Sequence, residues 1–587
     1  MKQSIFIVLF SFCAFTVNAQ VLDKEGVNNG YEELPDPNAN AVNANIKSHS
    51  QRTTLNWGSI DVRYSRSVNP NLINKQWSGT AWKGERVNAQ AVLWTPLQLN
   101  NVTFDISDFR CGKSVIPSSN IKKYFVRYVM TDELNKDKKS GCSSRNKQDY
   151  DSLLVADVLD NRTVMNQVSQ TRPLWMNIWV PQSAQAGTYK ATLTVKAKGM
   201  KSLSLPMTLK VVNRVLPLPK DWQFHLDLWQ NPYAVARFYG VELWSKEHFD
   251  LMRPIMKMLA DAGESVITCS IMHWPWNAQT EDPFESMVMR QKNIDGSWNF
   301  DYTVFDKWVS FMMSLGIDKQ IDCYTLVPWA LKFDYYDQAT NTVQYVHASP
   351  GDKAYEDYWL PFLKDFAKHL KSKGWFNRTA IAMDERPMDL MRAAFNLLMK
   401  ADPDYKVAGA CKYYPEVEPK MYDMSLSFYD KPLTADVMKA RKAAGHYTTC
   451  YTCCVEAYPN TFTFSEPAEA TLIPWNAIAG GYDGYLRWAY NSWTKAPLQD
   501  SRFRTWAAGD CYLVYPVGSS IRFERLIEGI QDVEKIRCLR KIYADRGESE
   551  KLKPLEEMIQ SLTPANLKEH NASKTVNKAK KVLEEFD

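Results

Sequence analysis

The chain has 587 residues, 45% of them hydrophobic and 23% charged, with a formal net charge of +5. Such a length exceeds one ordinary core and suggests two or three units. The composition excludes a largely disordered or membrane-embedded body, and the small charge excess argues against a nucleic-acid partner. Eleven cysteines, scattered without framework spacing, exclude a disulfide-built fold.

The first residues, MKQSIFIVLFSFCAFTVNAQ, place Lys2 before an apolar run and end in Val17-Asn18-Ala19. This is the pattern of a signal peptide over residues 1–19, cleaved after Ala19. Phe12 is too large for a lipoprotein site at Cys13, so a soluble exported product, periplasmic or secreted, is expected. No later segment has the ~18 consecutive apolar residues of a membrane span. Residues 20–50 are polar, with Pro35 and Pro37, and read as an extended lead-in.

From 51 to 216 the pattern is of short strands with period-two alternation: Asn88–Trp94, Leu174–Val180, Thr188–Val195 and Leu203–Val211, with bends at Pro181 and Gly187. An antiparallel β-sandwich is predicted. Cys111 and Cys142 are the only cysteines of this region, and in an oxidising compartment they are candidates to pair. The proline-bearing run Val215–Lys220 is a stiff connector, after which the texture changes.

Between 221 and 547, apolar strand candidates begin near Phe224, Val266, Gln320, Thr379, Lys406, Met424, Tyr447 and Gly484. Helical patterns alternate with them, at 249–259 with Pro254 as a kink or start, 304–315, 355–372 and 388–401. Eight such strands predict a (β/α)8 barrel, giving an α/β plus all-β protein. Cys450, Cys453 and Cys454 lack the fourth ligand of a closed zinc site and are assigned to a buried strand. Cys511–Pro516 reads as another short strand. Ile521–Tyr543 reads as an amphipathic helix, with Phe523, Leu526, Ile530, Val533 and Ile536 on one face, closing the barrel. Residues 548–587 read as solvated helices packed on the outside.

In Arg378-Thr-Ala-Ile-Ala-Met-Asp-Glu-Arg-Pro387 an apolar strand runs into two adjacent carboxylates. An acid pair before a helix is often a cap with a solvated neighbour. Here it falls at the end of the fourth strand, the barrel mouth where active sites are built, and Asp384 and Glu385 are the catalytic candidates. A retaining glycosidase with its own nucleophile wants two carboxyls ~5.5 Å apart across the scissile bond, commonly from different strands. Sequence neighbours suit substrate assistance better. A 2-acetamido oxygen attacks the anomeric carbon, Asp384 steadies the acetamide N–H, and Glu385 protonates the leaving oxygen. Successive strand residues face opposite ways, so an irregular turn assisted by Pro387 is required, and mutual repulsion should raise one pKa.

Together with Asp384-Glu385, the blocks Trp488-Ala-Tyr-Asn-Ser-Trp493, Gly509-Asp-Cys-Tyr-Leu-Val-Tyr-Pro516 and Ser520-Ile-Arg-Phe-Glu-Arg-Leu-Ile-Glu-Gly-Ile-Gln-Asp532 resemble glycoside hydrolase family 123. The resemblance covers nearly the whole mature chain, and the order and spacing of the blocks carry it. It implies an exo-acting β-N-acetylgalactosaminidase using acetamido participation. Its substrate would be terminal β-linked N-acetylgalactosamine, as on glycosphingolipid glycans, with no metal or organic cofactor. The paired carboxylates fall on Asp384 and Glu385.

Position at strand ends adds His273, Trp274, Tyr324, Tyr451, Trp488, Tyr490, Asn491 and Trp493 as candidates for a sugar platform, against the alternative of barrel packing. Twenty Trp, 29 Tyr and 25 Phe leave room for both. Tyr490 and Trp493 suit the aromatic wall of an N-acetyl pocket. Asp510 and Arg522 fit either the site or a turn and a buried ion pair. Two competing functions stay open: a two-carboxylate glycosidase with a distant nucleophile such as Asp510, and a non-catalytic glycan-binding protein. Neither Gly-x-Ser-x-Gly nor His-Glu-x-x-His occurs.

Overall fold

The structure, a computed structural model, describes residues 32–37 and 52–587 except 143, 144, 505, 564, 568 and 569. The expected signal peptide and most of the lead-in lie outside the described residues. The short described piece of the lead-in is anchored. Glu33 accepts hydrogen bonds from Arg172 at 2.6 and 3.0 Å and from the Tyr128 N–H at 3.1 Å. Burial alone would raise the Glu33 carboxyl, but Arg172, Arg127 and Arg66 together hold it down at about 2.

Ten strands build the N-terminal region: β1 (Thr54–Gly58), β2 (Trp77–Lys83), β3 (Arg86–Ile106), β4 (Phe109–Cys111), β5 (Ser114–Ile116), β6 (Ile121–Thr131), β7 (Leu153–Asp160), β8 (Met165–Trp179), β9 (Gly187–Lys196) and β10 (Leu203–Val215). The long β3 serves both halves of a sandwich-like fold. It pairs with β8 from Arg86 to Val102 and with β9 from Thr103 to Ile106. Pairing is antiparallel as expected, except that β2 and β10 run parallel. The predicted alternation holds in β9 and β10. It fails in the middle of β3 and β8, where both faces are buried.

All eight expected barrel strands form. They are β11 (His225–Leu228), β12 (Val266–Ser270), β15 (Gln320–Tyr324), β18 (Thr379–Met383), β19 (Lys406–Ala410), β20 (Met421–Ser427), β21 (Tyr447–Tyr451) and β22 (Gly484–Arg487). Every ladder is parallel, in the order β11-β22-β21-β20-β19-β18-β15-β12. β12, β15 and β18 are buried at every residue, because core lies inside the barrel and helices lie outside. Between β11 and β12 a single backbone bridge, Leu226 to Glu264, replaces a ladder. Side chains lace this seam: the Glu264 carboxylate accepts the Leu228 N–H at 3.2 Å, and Gln230 Oε1 accepts the Thr268 N–H at 2.9 Å.

Helices Thr303–Ser314, Lys353–Lys373 and Met388–Ala401 fall where expected. Pro254 sits inside Lys246–Ala260, whose face of Met252, Ile255, Met256 and Leu259 is buried. A four-stranded accessory sheet was not anticipated. It joins β13 (Met289–Lys292) and β14 (Trp298–Asp301), from the segment after β12, to β16 (Lys332–Asp337) and β17 (Thr342–His347), from the segment after β15. Its first hairpin turns at Asp295-Gly296, with Gly296 at φ 83°.

Three other expectations are corrected. Cys511–Pro516 makes isolated bridges and no strand, because its backbone satisfies local turns. Helix Ile521–Asp545 has no solvated face over its first turns: it lies between barrel and sandwich, and its charged residues are buried in pairs. Arg522 meets Asp157 of β7 at 2.9 Å, and Asn88 of β3 donates to Glu528 at 3.1 Å. The third correction is the disulfide. Cys142 pairs with Cys454, 312 residues away in the chain, while Cys111 keeps a free thiol at the end of β4. Folding brings the segment after β6 onto the barrel mouth, where Ser140 Oγ donates to the Cys454 carbonyl at 2.6 Å and Asp132 accepts the Ala508 N–H at 3.0 Å. Of the three clustered cysteines only Cys450 is in a strand; Cys453 and Cys454 lie beyond its end. The C-terminal helices Lys553–Gln560 and Ala572–Glu584 bury one face each, through Leu555, Met558 and Ile559 and through Val576, Ala579 and Leu583.

Candidate active site

β18 ends at Met383, and Asp384–Pro387 is irregular before the helix that begins at Met388. The sequence dictates this break. Proline disfavours helical backbone at the preceding Arg386, and Pro387 itself takes an extended conformation, ψ 142°, at the helix N-cap. Freed from strand alternation, Asp384 and Glu385 both line one cavity of about 300 Å³ at the C-terminal mouth of the barrel.

Each acid has its own donor. Trp329, from the loop after β15, gives its indole N–H to Asp384 Oδ2 at 3.0 Å, and Tyr451, the last residue of β21, gives its hydroxyl to Glu385 Oε1. Burial raises the Asp384 carboxyl above its ordinary range, opposed by the Glu385 N–H, the Trp329 indole and the Arg386 charge. Burial raises Glu385 as well. Tyr451 opposes that rise, whereas the negative charges of Asp384, Glu456 and Asp430 reinforce it. Desolvation therefore outweighs the mutual repulsion expected from adjacency, and it acts on both acids.

Aromatic rings make the walls. Trp229 after β11 stacks on Trp276 with centroids 4.9 Å apart, and Tyr324 packs beneath both at 4.5 and 5.0 Å. Across the cavity Trp488 meets Trp506 at 6.1 Å. The Trp488 indole donates to Asp510 Oδ2 at 3.2 Å, and Asp510 is held in a fully buried ion pair with Arg487 at 2.8 Å. Cys142, Cys453 and Cys454 complete one side, so the N-terminal region contributes directly to the wall. The Cys453 sulfur lies within 4.8 Å of both disulfide sulfurs, and burial pushes its thiol well up.

Among the sequence-predicted residues, Asp384, Glu385, Tyr451 and Trp488 line the cavity, and Tyr324 lies under its floor. His273 and Trp274 lie outside it, stacked together at 5.0 Å, with His273 paired to Glu285 at 2.6 Å. Tyr490, Asn491 and Trp493 are corrected to interior packing. Tyr490 donates to the Ile255 carbonyl, Asn491 is locked against Asn231, and Trp493 donates to the Val514 carbonyl and packs edge-on to Phe238. Asp510 sits behind Trp488, its oxygens taken by Arg487 and Trp488; burial raises its carboxyl to about 6. Arg522 is structural, donating to the Thr461 and Tyr512 carbonyls besides Asp157. Sequence reasoning missed Trp229, Trp276, Trp329 and Trp506. Trp229 was within reach, because it directly follows the first strand.

A larger cleft, of about 600 Å³, lies between the sandwich and helix Lys246–Ala260, walled by Tyr124, Lys122, Tyr239 and Met258. It contains none of the strand-end acids.

Two neighbouring carboxyls, each with its own donor, and a ring of tryptophans around one cavity at a barrel mouth point to a glycoside hydrolase. Residues 229–539 match the glycoside hydrolase 123 catalytic domain, and residues 57–197 match the glycoside hydrolase 123 N-terminal domain. The chain belongs to glycoside hydrolase family 123. Among solved structures it is similar to a family 123 glycoside hydrolase from Clostridium perfringens, studied for glycolipid glycan hydrolysis. The two are 29% identical with a TM-score of 0.80, over 91% of this chain and 97% of that one. A putative glycoside hydrolase from Bacteroides vulgatus matches at 11% identity and a TM-score of 0.30, over 79% and 78% of the two chains. No curated protein matches the sequence.

Proposed function

We propose that this chain is an exo-acting, retaining hydrolase that releases terminal β-linked N-acetylgalactosamine from glycans through its substrate's own acetamido group. The observation that carries the reading is the convergence of Asp384 and Glu385 on one cavity, each held by a separate donor. Asp510, the other candidate nucleophile, is sealed behind Trp488.

In the first step the acetamide oxygen attacks C1 as the glycosidic bond breaks. Glu385 transfers its proton to the departing oxygen, while Asp384 accepts the acetamide N–H and offsets the charge gathering there. Water then attacks C1 of the oxazolinium-type intermediate and gives its proton to Glu385, restoring both the acetamide and the acid. Burial of Glu385 favours the protonated form this cycle starts from. The walls of Trp229, Trp276 and Trp488 offer flat faces to a pyranose ring, and the small cavity suits one terminal residue. The similarity to the Clostridium perfringens enzyme supports glycolipid glycans as substrates. Export to an oxidising compartment belongs to the same proposal, and the Cys142–Cys454 bridge is in keeping with it.

The test is turnover of 4-nitrophenyl β-N-acetylgalactosaminide and the matching glucosaminide, with and without a thiazoline mimic of the intermediate. Cleavage of the galactosaminide with strong thiazoline inhibition is expected. Turnover indifferent to the thiazoline would sink the acetamido mechanism, and preference for the glucosaminide would sink the sugar assignment.

A further inference from the structure

The residue directly after the acid pair has no role in the mechanism above. Arg386 makes no hydrogen bond or ion pair among the described residues, and its Nε is buried without a partner. Its guanidinium lies 4.8 Å over the ring of Trp329, the residue that holds Asp384. Other arginines of the chain keep a buried nitrogen without a hydrogen bond, but each of them is paired elsewhere, as Arg487 is with Asp510 and Arg522 with Asp157; Arg386 is not.

Beside it stands a second anomaly. Trp329 donates its backbone N–H to the Pro275 carbonyl at 3.4 Å, which brings Trp274 to the same rim. Trp274 is 41% exposed and Trp329 39%, so neither ring is explained by core packing. Trp274 also holds a left-handed backbone, φ 55°, pinned by its N–H to the Phe284 carbonyl at 2.8 Å. For a bulky residue that conformation is strained, and such strain collects at ligand-binding sites. His273, stacked on Trp274 and fixed by Glu285, stiffens the ledge.

We infer that Arg386, with the exposed rings of Trp329 and Trp274, forms the subsite for the leaving-group saccharide, the guanidinium donating to oxygens of the sugar next to the scissile bond. This rests on the hydrolase reading above and extends it from the terminal sugar to what that sugar is attached to. A planar fork stacked on an aromatic ring is pre-organised for paired oxygen acceptors, and a lysine cannot reproduce it.

The experiment compares wild type with Arg386→Lys, Arg386→Gln and Trp274→Ala on two substrates: a trisaccharide ending in β-N-acetylgalactosamine, and the 4-nitrophenyl galactosaminide, which has no leaving-group sugar. The ratio of kcat/KM on the trisaccharide to that on the nitrophenyl glycoside should fall about tenfold in both Arg386 variants, equivalent to ~1.4 kcal/mol, and severalfold in Trp274→Ala. An unchanged ratio in all three overturns the subsite. So does an equal loss on both substrates that lysine restores, accompanied by a moved acid limb of the pH profile, since the guanidinium would then serve only as a charge beside Asp384. Wild type cleaving neither substrate overturns the hydrolase reading and this inference with it; wild-type turnover with an unchanged ratio overturns the subsite alone.

Discussion

The ends of β18 and β22 face each other across one cavity, yet they use their residues differently. After β18 the first two positions, Asp384 and Glu385, both reach the cavity, because the proline at 387 keeps the chain from entering a helix at once. After β22 only the first, Trp488, does so; the chain then dives under the rim, and Tyr490, Asn491 and Trp493 are spent on interior contacts. Trp229 behaves like Trp488, directly following β11. At β11, β18 and β22 the residue that directly follows the strand lines the cavity, whereas at β21 the last strand residue, Tyr451, does so.

The sharpest way to break that comparison is at β18. Glu385→Gln should lower kcat/KM on a glycan with a poor leaving group by about 10²–10⁴-fold and on an activated nitrophenyl glycoside much less, because proton donation matters only for the former. Asp384→Asn should damage both substrates alike. The pair at β22 comes next. Trp493→Ala should cost about 3–5 kcal/mol in denaturant unfolding and leave KM nearly unchanged, as expected for a buried ring. Trp488→Ala should do the reverse, raising KM about tenfold with little loss of stability. If the two tryptophans exchanged these effects, the contrast drawn after β22 would be wrong.

The barrel was legible because parallel strands buried on both faces read as short apolar runs, and each run ended where the structure ends it, within a few residues. Asp384 and Glu385 stood out because they follow the strand Thr379–Met383 directly; a cap with a solvated neighbour was the other reading, and the structure has both acids lining the cavity. The rest depended on tertiary neighbours. Trp329 and Trp506 reach the cavity on loops whose course no periodicity encodes. The charges of helix Ile521–Asp545 look solvated in sequence, yet Arg522 and Glu524 are buried because Asp157 and Arg86 of the sandwich meet them. Cysteine counting within one region suggested Cys111 and Cys142, whereas the bridge joins two regions and depends on how they dock.

That bridge offers the next comparison, between the wall the barrel makes for itself and the wall borrowed from the N-terminal region. Cys142→Ser with Cys454→Ser should lower unfolding stability by about 2–4 kcal/mol, read by denaturant titration under non-reducing conditions. KM should rise too, since both cysteines line the cavity. A stability loss with KM untouched would make the borrowed wall a strut only.

The smallest effect tests the donors and not the acids. Tyr451 gives its hydroxyl to Glu385 and holds the carboxyl below where burial and the neighbouring acids would otherwise put it. Removing the hydroxyl in Tyr451→Phe leaves desolvation and repulsion unopposed, so the Glu385 pKa rises further. The acid must be protonated to donate, and activity is lost as pH climbs through that pKa. The alkaline limb of kcat/KM should therefore move to higher pH in the variant, while the acid limb, set by ionisation of Asp384, stays in place because Trp329 still holds that group. A shift of the alkaline limb to lower pH would mean that Tyr451 stabilises the protonated acid, and the division of labour between the two donors would have to be redrawn.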